Sequence, residues 1–424
     1  MDPSTSLFAA LVIAGVVVGC SSGTVDEQVV APEIVVPQPD PGRDVAGDGR
    51  PFEEYPDRAE RRLNLLAAES RPVEPSAMPP RHLDADRFPE SRVERTRIVS
   101  GGPPPDGIPS IDDPRFEPVD EVDWISDDEA VLSLRVGEVE RAYPIRIMAW
   151  HEIVNDVIDD VPVAVTYCPL CNSAVAFDRR VDGEVLEFGT SGALYLSALV
   201  MYDRQTETLW THFDGRAVIG TMVGTDLRLL PVATISWRDF REANPSGEVL
   251  SLDTGHERPY GRNRYVGYDQ SEAPLSGFFT MDIDARETAM QRVVGIVGRD
   301  EDLAIPTERL RSAGTVSTEL DDRPITVWHL PGTASPLQHE TVDGGDDIGA
   351  TGVFYTDGLE DVGGDVTFVR DGEEFVDDRT GSRWNLLGEA TEGPLAGQRL
   401  ERATHLDTFW FAWSSYRPET TLLP

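Results

Sequence analysis

The chain contains no lysine, so arginine supplies all 37 of its basic residues against 76 aspartates and glutamates. The formal net charge is −39. Nucleic acid is excluded as a partner, because a phosphate backbone requires a basic footprint that this composition lacks. A surplus of carboxylates keeps a protein solvated when high salt screens its charges. The composition therefore indicates a salt-adapted acidic surface rather than a specific cation site.

Long apolar runs are also scarce. The run Leu7–Val18 is too short to span a bilayer comfortably, and no later run approaches the ~18 residues that a transmembrane helix needs. The run ends in Val17-Val-Gly-Cys20, which resembles the lipobox of prokaryotic lipoproteins, where the signal is removed and the cysteine carries lipid. The segment Met1–Ser6 has no positive charge, which leaves the export route open. A plain secretory signal is the alternative, and either reading places the mature protein outside the cytoplasm.

Composition divides the remaining chain into segments. After the lipoprotein-type signal at 1–20, residues 21–95 are rich in proline and acidic residues and predict a disordered tether, with one weak helix at Pro56–Ser70. The remaining length is enough for two units. We predict a first lobe at 96–245, an arginine- and tyrosine-rich connection at 246–295 and a second, cysteine-free lobe at 296–424.

The two lobes repeat one another weakly but in order. Asp159-Asp160 is matched by Asp321-Asp322, Pro162 by Pro324, and Asp203-Arg204 leading to Trp210 by Asp378-Arg379 leading to Trp384. Most segments are short, β-branched and bounded by turn residues, and the best helix candidates are Ile145–Ile153 and Ser236–Ala243. The pattern predicts a β-rich α+β fold of two tandem, structurally related lobes produced by internal duplication.

Beyond the leader the chain has only two thiols, Cys168 and Cys171, placed at the end of the apolar strand Val161–Tyr167. Such a pair can bind Cu(I) or Zn with a further ligand, exchange electrons as a dithiol, or close a structural disulfide. His151, on the helix before the strand, is the predicted third metal ligand. The second lobe keeps a proline at this place but has neither thiol, which favours a specialised site.

Two further groups of side chains are candidates for a pocket. The first mixes aromatic and charged residues after the cysteines, and a structural ion pair is the alternative interpretation there. Its members are Tyr202, Asp203, Arg204, Trp210 and His212. The second group lies between the lobes, where arginine and tyrosine side chains suit an anionic or planar ligand. Its members are Tyr260, Arg262 and Arg264.

Several of these segments together resemble the family catalogued as domain of unknown function 3179. The similar segments are Thr166–Ala174, Phe188–Gly192, Leu199–Trp210 and Asp253–Gly255, within residues 120–295. The resemblance implies an exported prokaryotic protein and marks both cysteines and the residues from Tyr202 to Arg204, with Trp210, as signature positions. It implies no activity. The family often has glutamine where this chain has Thr211-His212, so a role for His212 is local to this chain.

The sequence therefore predicts a lipid-anchored extracellular protein that binds Cu or Zn through Cys168, Cys171 and His151, with Cys20 as the lipidated residue and the membrane as its partner. A thiol–disulfide oxidoreductase using the same cysteines is the first alternative. A non-catalytic surface module with a structural disulfide is the second. The sequence leaves open whether the protein is an enzyme.

Overall fold

The computed structural model describes residues 90–359 and 366–423. Cys20, the tether up to residue 89 and the helix predicted at Pro56–Ser70 lie outside these residues. Within them, the predicted β-rich α+β fold is confirmed, since strands far outnumber helices. None of the described helices is both long enough and apolar enough to cross a membrane.

The regular elements comprise helices, strands and three short 3₁₀ turns at Arg95–Arg97, Val119–Glu121 and Tyr268–Gln270. The helices are α1 (Ile145–His151), α2 (Trp237–Ala243), α3 (Thr307–Ala313) and α4 (Trp410–Tyr416). The strands up to residue 250 are β1 (Ile98–Ser100), β2 (Phe116–Pro118), β3 (Ala130–Val136), β4 (Val139–Pro144), β5 (Ile153–Ile158), β6 (Val161–Cys168), β7 (Ser173–Asp178), β8 (Arg180–Val181), β9 (Glu184–Val185), β10 (Phe188–Tyr195), β11 (Ala198–Asp203), β12 (Leu209–Thr211), β13 (Ala217–Ile219), β14 (Arg228–Leu230), β15 (Val232–Ser236) and β16 (Glu248–Leu250). The later strands are β17 (Arg292–Ile296), β18 (Leu303–Pro306), β19 (Thr315–Leu320), β20 (Arg323–Leu330), β21 (Ala350–Tyr355), β22 (Phe368–Asp371), β23 (Glu374–Asp377), β24 (Arg383–Trp384), β25 (Ala390–Glu392), β26 (Glu401–Arg402), β27 (His405–Phe409) and β28 (Thr421–Leu422).

Both predicted helices of the first half are present, and α1 is shorter than expected. The sequence predicts a helix through Ile153, but α1 ends at His151 because Glu152 adopts the left-handed conformation at φ 60° and Ile153 begins β5. The second helix begins at Trp237, where the Ser236 hydroxyl accepts a hydrogen bond from the Asp239 N–H. A serine cap of this kind satisfies one of the free donors of the first turn.

The two halves of the chain use the same order of elements and the same strand pairings. Strands β14-β7-β6-β5 form one sheet, as do β26-β21-β20-β19. Strands β15-β3-β4-β16 correspond to β27-β17-β18-β28, and in both sets the last pair is parallel. Strands β10-β11-β12-β13 correspond to β22-β23-β24-β25. The duplication of an ancestral unit stays a prediction, and this shared topology is what it would produce.

The matching turns explain why the paired aspartates recur in the sequence. Asp159 and Asp160 join β5 to β6 with φ 48° and 60°, and Asp321 and Asp322 join β19 to β20 with φ 51° and 62°. Two-residue hairpins need positive φ at both positions, and aspartate tolerates it better than most residues. The acidic pair is therefore required by the turn.

One correspondence read from the sequence is shifted by a residue in the structure. Asp203 accepts a hydrogen bond from the Trp210 indole N–H at 2.9 Å, and Asp377 accepts the same bond from Trp384 at 3.1 Å. Asp203 also accepts from the Thr206 hydroxyl, as Asp377 does from Thr380. The partner of Asp203 is therefore Asp377, and Asp378 follows it.

The hydrophobic cores are shared by both halves. Trp410 and Trp413 of α4 pack in the cluster that holds both cysteines and Trp210 of the first half. Likewise, Trp237 and Phe240 of α2 pack in the cluster built around Trp328, Phe375 and Trp384 of the second half. Each of these two clusters thus contains residues of both halves, and the boundaries predicted at 245 and 296 stay a prediction about sequence segments.

The matched aspartate–tryptophan pairs provide a test of structural equivalence. Asp203→Ala and Asp377→Ala should each lower the free energy of unfolding by about 3 kcal/mol, because each leaves a buried indole N–H and the donors of a turn without their charged acceptor. Urea unfolding at pH 7.5 measures both. Asp113→Ala, at an exposed aspartate, is the control and should change the free energy by about 0.5 kcal/mol or less. A large loss for one pair only would contradict equivalent roles.

Candidate functional site

The two cysteines lie at a tight connection between two buried strands. Strand β6 ends at Cys168, β7 begins at Ser173, and these two residues are paired across the hairpin. Asn172 takes φ 49° and donates its backbone N–H to Pro169 O at 3.2 Å. Its side chain accepts a hydrogen bond from the Tyr167 hydroxyl at 3.1 Å. The loop of residues 169–172, called the thiol loop below, is therefore held by its own backbone.

Groups from the later part of the chain hold the thiol loop from outside. The Thr408 hydroxyl donates to Cys171 O at 2.7 Å, and the Phe409 N–H donates to the same oxygen at 3.3 Å. The Tyr268 hydroxyl donates to Leu170 O at 2.9 Å. Buried carbonyl groups need such donors, and in this loop they come from residues far along the chain.

Both thiols are free and buried, with 2% of Cys168 and 0% of Cys171 exposed. The Cys168 thiol points to Ser197 O at 3.9 Å. Burial raises the pKa of the Cys171 thiol well above its ordinary value, and its hydrogen bond with Cys168 raises it further. Cys171 is therefore a thiol in the resting protein.

A chain of polar groups connects the Cys171 thiol to His212. The distance from Cys171 Sγ to Ser173 Oγ is 2.9 Å, and from Ser173 Oγ to His212 Nε2 it is 3.0 Å. His212 Nδ1 lies 3.0 Å from the Thr166 hydroxyl oxygen. All four side chains are buried. This Cys171–Ser173–His212 chain is called the thiol relay below.

The hydrogen bonds of the thiol relay have a definite direction. The Thr166 hydroxyl donates to Val175 O at 2.7 Å, so its oxygen accepts from His212 Nδ1–H. Burial lowers the pKa of His212 to about 3, so the ring is neutral and its Nε2 accepts from the Ser173 hydroxyl. The Ser173 oxygen can then accept from the Cys171 S–H at 2.9 Å, a shorter contact than the 3.7 Å from Cys171 Sγ to Cys168 O. The relay therefore runs from the thiol toward the imidazole.

His151 lies elsewhere, with both ring nitrogens hydrogen-bonded to oxygen. Its Nδ1 donates to Pro109 O at 2.7 Å, and its Nε2 lies 2.6 Å from the Tyr260 hydroxyl. The ring is 0% exposed, and burial lowers its pKa to about 3. Within residues 90–359 and 366–423, no three histidine, cysteine, aspartate or glutamate side chains are grouped to hold a metal ion. The structure thus brings the two cysteines together and does not add His151 to them.

Of the other predicted pocket residues, four form structural hydrogen bonds or ion pairs, and His212 belongs to the thiol relay. Arg204 forms ion pairs with Asp112 at 2.7 Å and with Glu187, and Tyr202 hydrogen-bonds to Asp106. Asp203 and Trp210 bond to each other as described above. This cluster ties β11 to the segment before β3, which agrees with the alternative interpretation as internal ion pairing. His212 alone of that group reaches the cysteines.

In the segment between the halves, Tyr260 is the partner of His151 and Arg262 is exposed. Arg264 is buried and stacks over the Trp150 ring, with its guanidinium carbon 4.6 Å from the ring centroid. It lines a pocket together with Glu152 and with Leu170 of the thiol loop. Only Arg264 of the three therefore lies at a cavity beside the cysteines.

Sequence reasoning missed Thr166, Ser173 and Glu152. Thr166 has a detectable signal, because it is the polar residue two positions before Cys168 in an apolar strand and so shares its face. Ser173 resembles a helix cap in the sequence, and the strand β7 begins there instead. Glu152 has no signal, because its burial depends on distant segments that close over the end of α1.

Comparison with known proteins gives one match. The family model described as "Protein of unknown function (DUF3179)" matches residues 105–420, which extends the similarity across both halves of the chain. Neither the curated proteins nor the solved structures contain a match.

Proposed function

This chain belongs to the DUF3179 family, which carries no assigned function, and from its own geometry we propose that it is a thiol–disulfide oxidoreductase. Cys168 and Cys171 are the redox pair. The observation that supports this most directly is the thiol relay, which provides the Cys171 thiol with a path for its proton to His212 at 2.9 and 3.0 Å. A pair that served only as a structural disulfide would not need a base.

The proposed reaction transfers two electrons from the dithiol to an organic disulfide. The Cys168 thiolate attacks one sulfur of the substrate, so that a mixed disulfide forms and one substrate thiolate leaves. The Cys171 thiolate then attacks Cys168 Sγ, so that the protein disulfide forms and the second substrate thiolate leaves. The two protons of the protein thiols end on the two leaving thiolates. The substrate is reduced to two thiols and the protein is oxidised by the same two electrons.

Cys168 is assigned as the attacking residue and Cys171 as the resolving residue. Both thiols are buried, so the assignment depends on their hydrogen bonds: among the described residues Cys168 has no link to the relay other than through Cys171, and its contact with Ser197 O is long, at 3.9 Å. Cys171 is fully buried and has the relay. A buried thiolate or a buried imidazolium by itself is unfavourable. The relay therefore accepts the Cys171 proton as the new sulfur–sulfur bond forms, and that bond disperses the negative charge of the sulfur.

Binding of a soft metal ion is the second candidate. Two thiolates suffice as ligands for Cu(I), and the cysteines share their cluster with the thioether of Met201. A third ligand from His151 is not needed for this version. We rank it second because a two-sulfur site does not account for the directed relay.

The oxidation state of the two thiols distinguishes the candidates. Full-length protein carrying Cys20→Ser should be reduced, freed of reductant and treated with a small organic disulfide. The thiol count should fall from two to zero and the mass should drop by two hydrogen atoms, while Cys171→Ser should accumulate a mixed disulfide on Cys168. Stoichiometric copper or zinc in the purified protein, with no closure of the disulfide, would support the second candidate.

We also propose that the protein works at the outer face of the cell membrane, attached through lipid on Cys20. The supporting observation is the sequence Val17-Val-Gly-Cys20 after an apolar run. Disulfides form and persist in an oxidising exterior, so the disulfide substrate of the proposed reaction occurs there. Mass spectrometry of the mature N-terminus from cells tests the proposal, since an unmodified N-terminus at another residue would contradict it.

A further inference from the structure

A pocket beside the thiol loop contains two charged side chains that have no hydrogen-bond partner among the described residues. The pocket is lined by charged, aromatic and aliphatic residues. Those that bear on ligand binding are Glu152, Leu170, Leu199, Arg264, Tyr265 and Phe278.

Glu152 lines the pocket and is buried, at 8% exposure. No hydrogen bond from a described residue acts on its carboxyl group. Apart from burial, the charge of Arg264 is the one influence of a described residue on this carboxyl group, and both residues line the pocket. Burial raises the pKa of Glu152 to about 7, and the charge of Arg264 opposes that increase. An ionised carboxylate there is stabilised by a cationic ligand group.

The backbone conformation at Glu152 is a second reason to assign its side chain a role beyond the fold. The residue caps α1 at φ 60°, a left-handed conformation that favours glycine. A buried carboxylate at such a position is unfavourable on two grounds, conformational and electrostatic. Costs of this kind persist at sites where the side chain has a role beyond the fold.

Arg264 supplies the complementary charge without neutralising Glu152 by contact. Its guanidinium stacks on Trp150, and no ion pair joins it to Glu152 in the part of the chain that the structure describes. Tyr265 lines the same pocket, and burial raises its pKa, with further increases from the charges of Glu152 and Cys168. A carboxylate and a guanidinium held apart in one pocket match the two ends of an α-amino acid.

The apolar wall of the pocket leads to Cys168. Leu170 belongs to the thiol loop. Phe278 O accepts the backbone N–H of Ser197 at 3.0 Å, and Ser197 O is the contact of the Cys168 thiol. The wall therefore adjoins the segment that contacts the Cys168 thiol.

We propose that this pocket binds the amino-acid portion of a small sulfur compound of the cysteine–cystine type, with its ammonium group on Glu152 and its carboxylate on Arg264. The inference rests on the proposed function where it concerns the reaction of the ligand's sulfur with the cysteines. The binding itself does not depend on electron transfer and can be measured separately.

The test uses full-length protein in which Cys168→Ser and Cys171→Ser remove the redox chemistry. S-methyl-L-cysteine is titrated by calorimetry beside two shortened probes, 2-(methylthio)ethylamine without the carboxylate and 3-(methylthio)propanoate without the ammonium. Each shortened probe should bind at least ~10-fold more weakly, since each leaves one charged group of the pocket without its partner.

Matched variants assign the two contacts. Glu152→Gln should weaken S-methyl-L-cysteine at least ~10-fold and leave 3-(methylthio)propanoate unchanged, and Arg264→Gln should weaken S-methyl-L-cysteine and leave the amine probe unchanged. Arg262→Gln is the control, because Arg262 is exposed two residues away. Circular dichroism confirms that each variant is folded.

The outcomes separate this inference from the proposed function. Equal affinity for all three probes, or no binding at millimolar concentration, would overturn the pocket assignment. If the protein with intact cysteines still reduced an uncharged disulfide, the oxidoreductase would survive without it. If the zwitterion bound as expected and no disulfide were ever reduced, the pocket would stand and the proposed reaction would fail.

Discussion

Replacing His212 by asparagine should slow closure of the Cys168–Cys171 disulfide by about 10²-fold, because a positioned base contributes on the order of 10²–10⁴ to a proton-transfer step. Asparagine retains one donor and one acceptor but cannot take the Cys171 proton. Formation of the mixed disulfide at Cys168 should change little, since the relay connects to Cys171 only. Rapid quenching with an alkylating reagent, followed by mass spectrometry, resolves the two steps.

The matched control for this experiment is His151→Asn. His151 is as deeply buried as His212 and also has both ring nitrogens bonded, but its partners are Pro109 O and Tyr260 rather than the relay. Its replacement should leave disulfide closure within about twofold of the parent. Equal slowing in both variants would attribute the effect to general loss of packing and would remove the relay from the mechanism.

Acidification from pH 7.5 to pH 4 should destabilise the protein through its two neutral buried histidines. His151 and His212 have pKa values of about 3 when folded and 6.5 when unfolded, so the unfolded chain takes up protons first as the pH falls. The stability that such a neutral buried histidine contributes is fully present above pH 6.5 and is lost progressively as the pH falls toward 3. By pH 4 the two together account for about 7 kcal/mol, and Glu152, whose pKa is raised to about 7, offsets about 3. The net loss from these three groups is about 4 kcal/mol.

Urea unfolding at both pH values measures this loss. His212→Asn lowers stability at pH 7.5 through its lost hydrogen bonds, but its further loss on acidification should be about 3 kcal/mol smaller than that of the parent. His339→Asn, at an exposed histidine, should leave the acid loss unchanged. If His212→Asn lost as much stability on acidification as the parent protein, the His212 ring would be shown to take up its proton while the protein stays folded.

Features that depend on local periodicity and turn chemistry can be predicted from the sequence. Strand β6 is predictable because its run is rich in β-branched and aromatic residues, and in the structure Ala164 and Cys168 lie in one cluster while Val163 and Val165 lie in another. The recurring aspartate pairs follow from turn chemistry. These signals lie within about ten residues of one another, so they do not require knowledge of the tertiary structure.

The choice between the two histidines cannot be made from the sequence. His212 is 46 residues from its partner Thr166, and His151 is 109 residues from Tyr260. Proximity along the chain favours His151, but the end of α1 at Glu152 turns that ring toward Pro109. The sharing of both core clusters between the halves is equally hidden, because it depends on contacts between residues far apart along the chain.

The bonds from β27 to the thiol loop determine when the site is completed during synthesis. Both cysteines are translated more than 230 residues before Thr408 and Phe409, which hold the carbonyl of Cys171. A ribosome that stops anywhere before residue 408 releases a chain with two thiols but without the groups that fix the thiol loop. Only a chain that includes residues 408 and 409 can form these bonds, so an incomplete chain carries both cysteines without the donors that hold their loop.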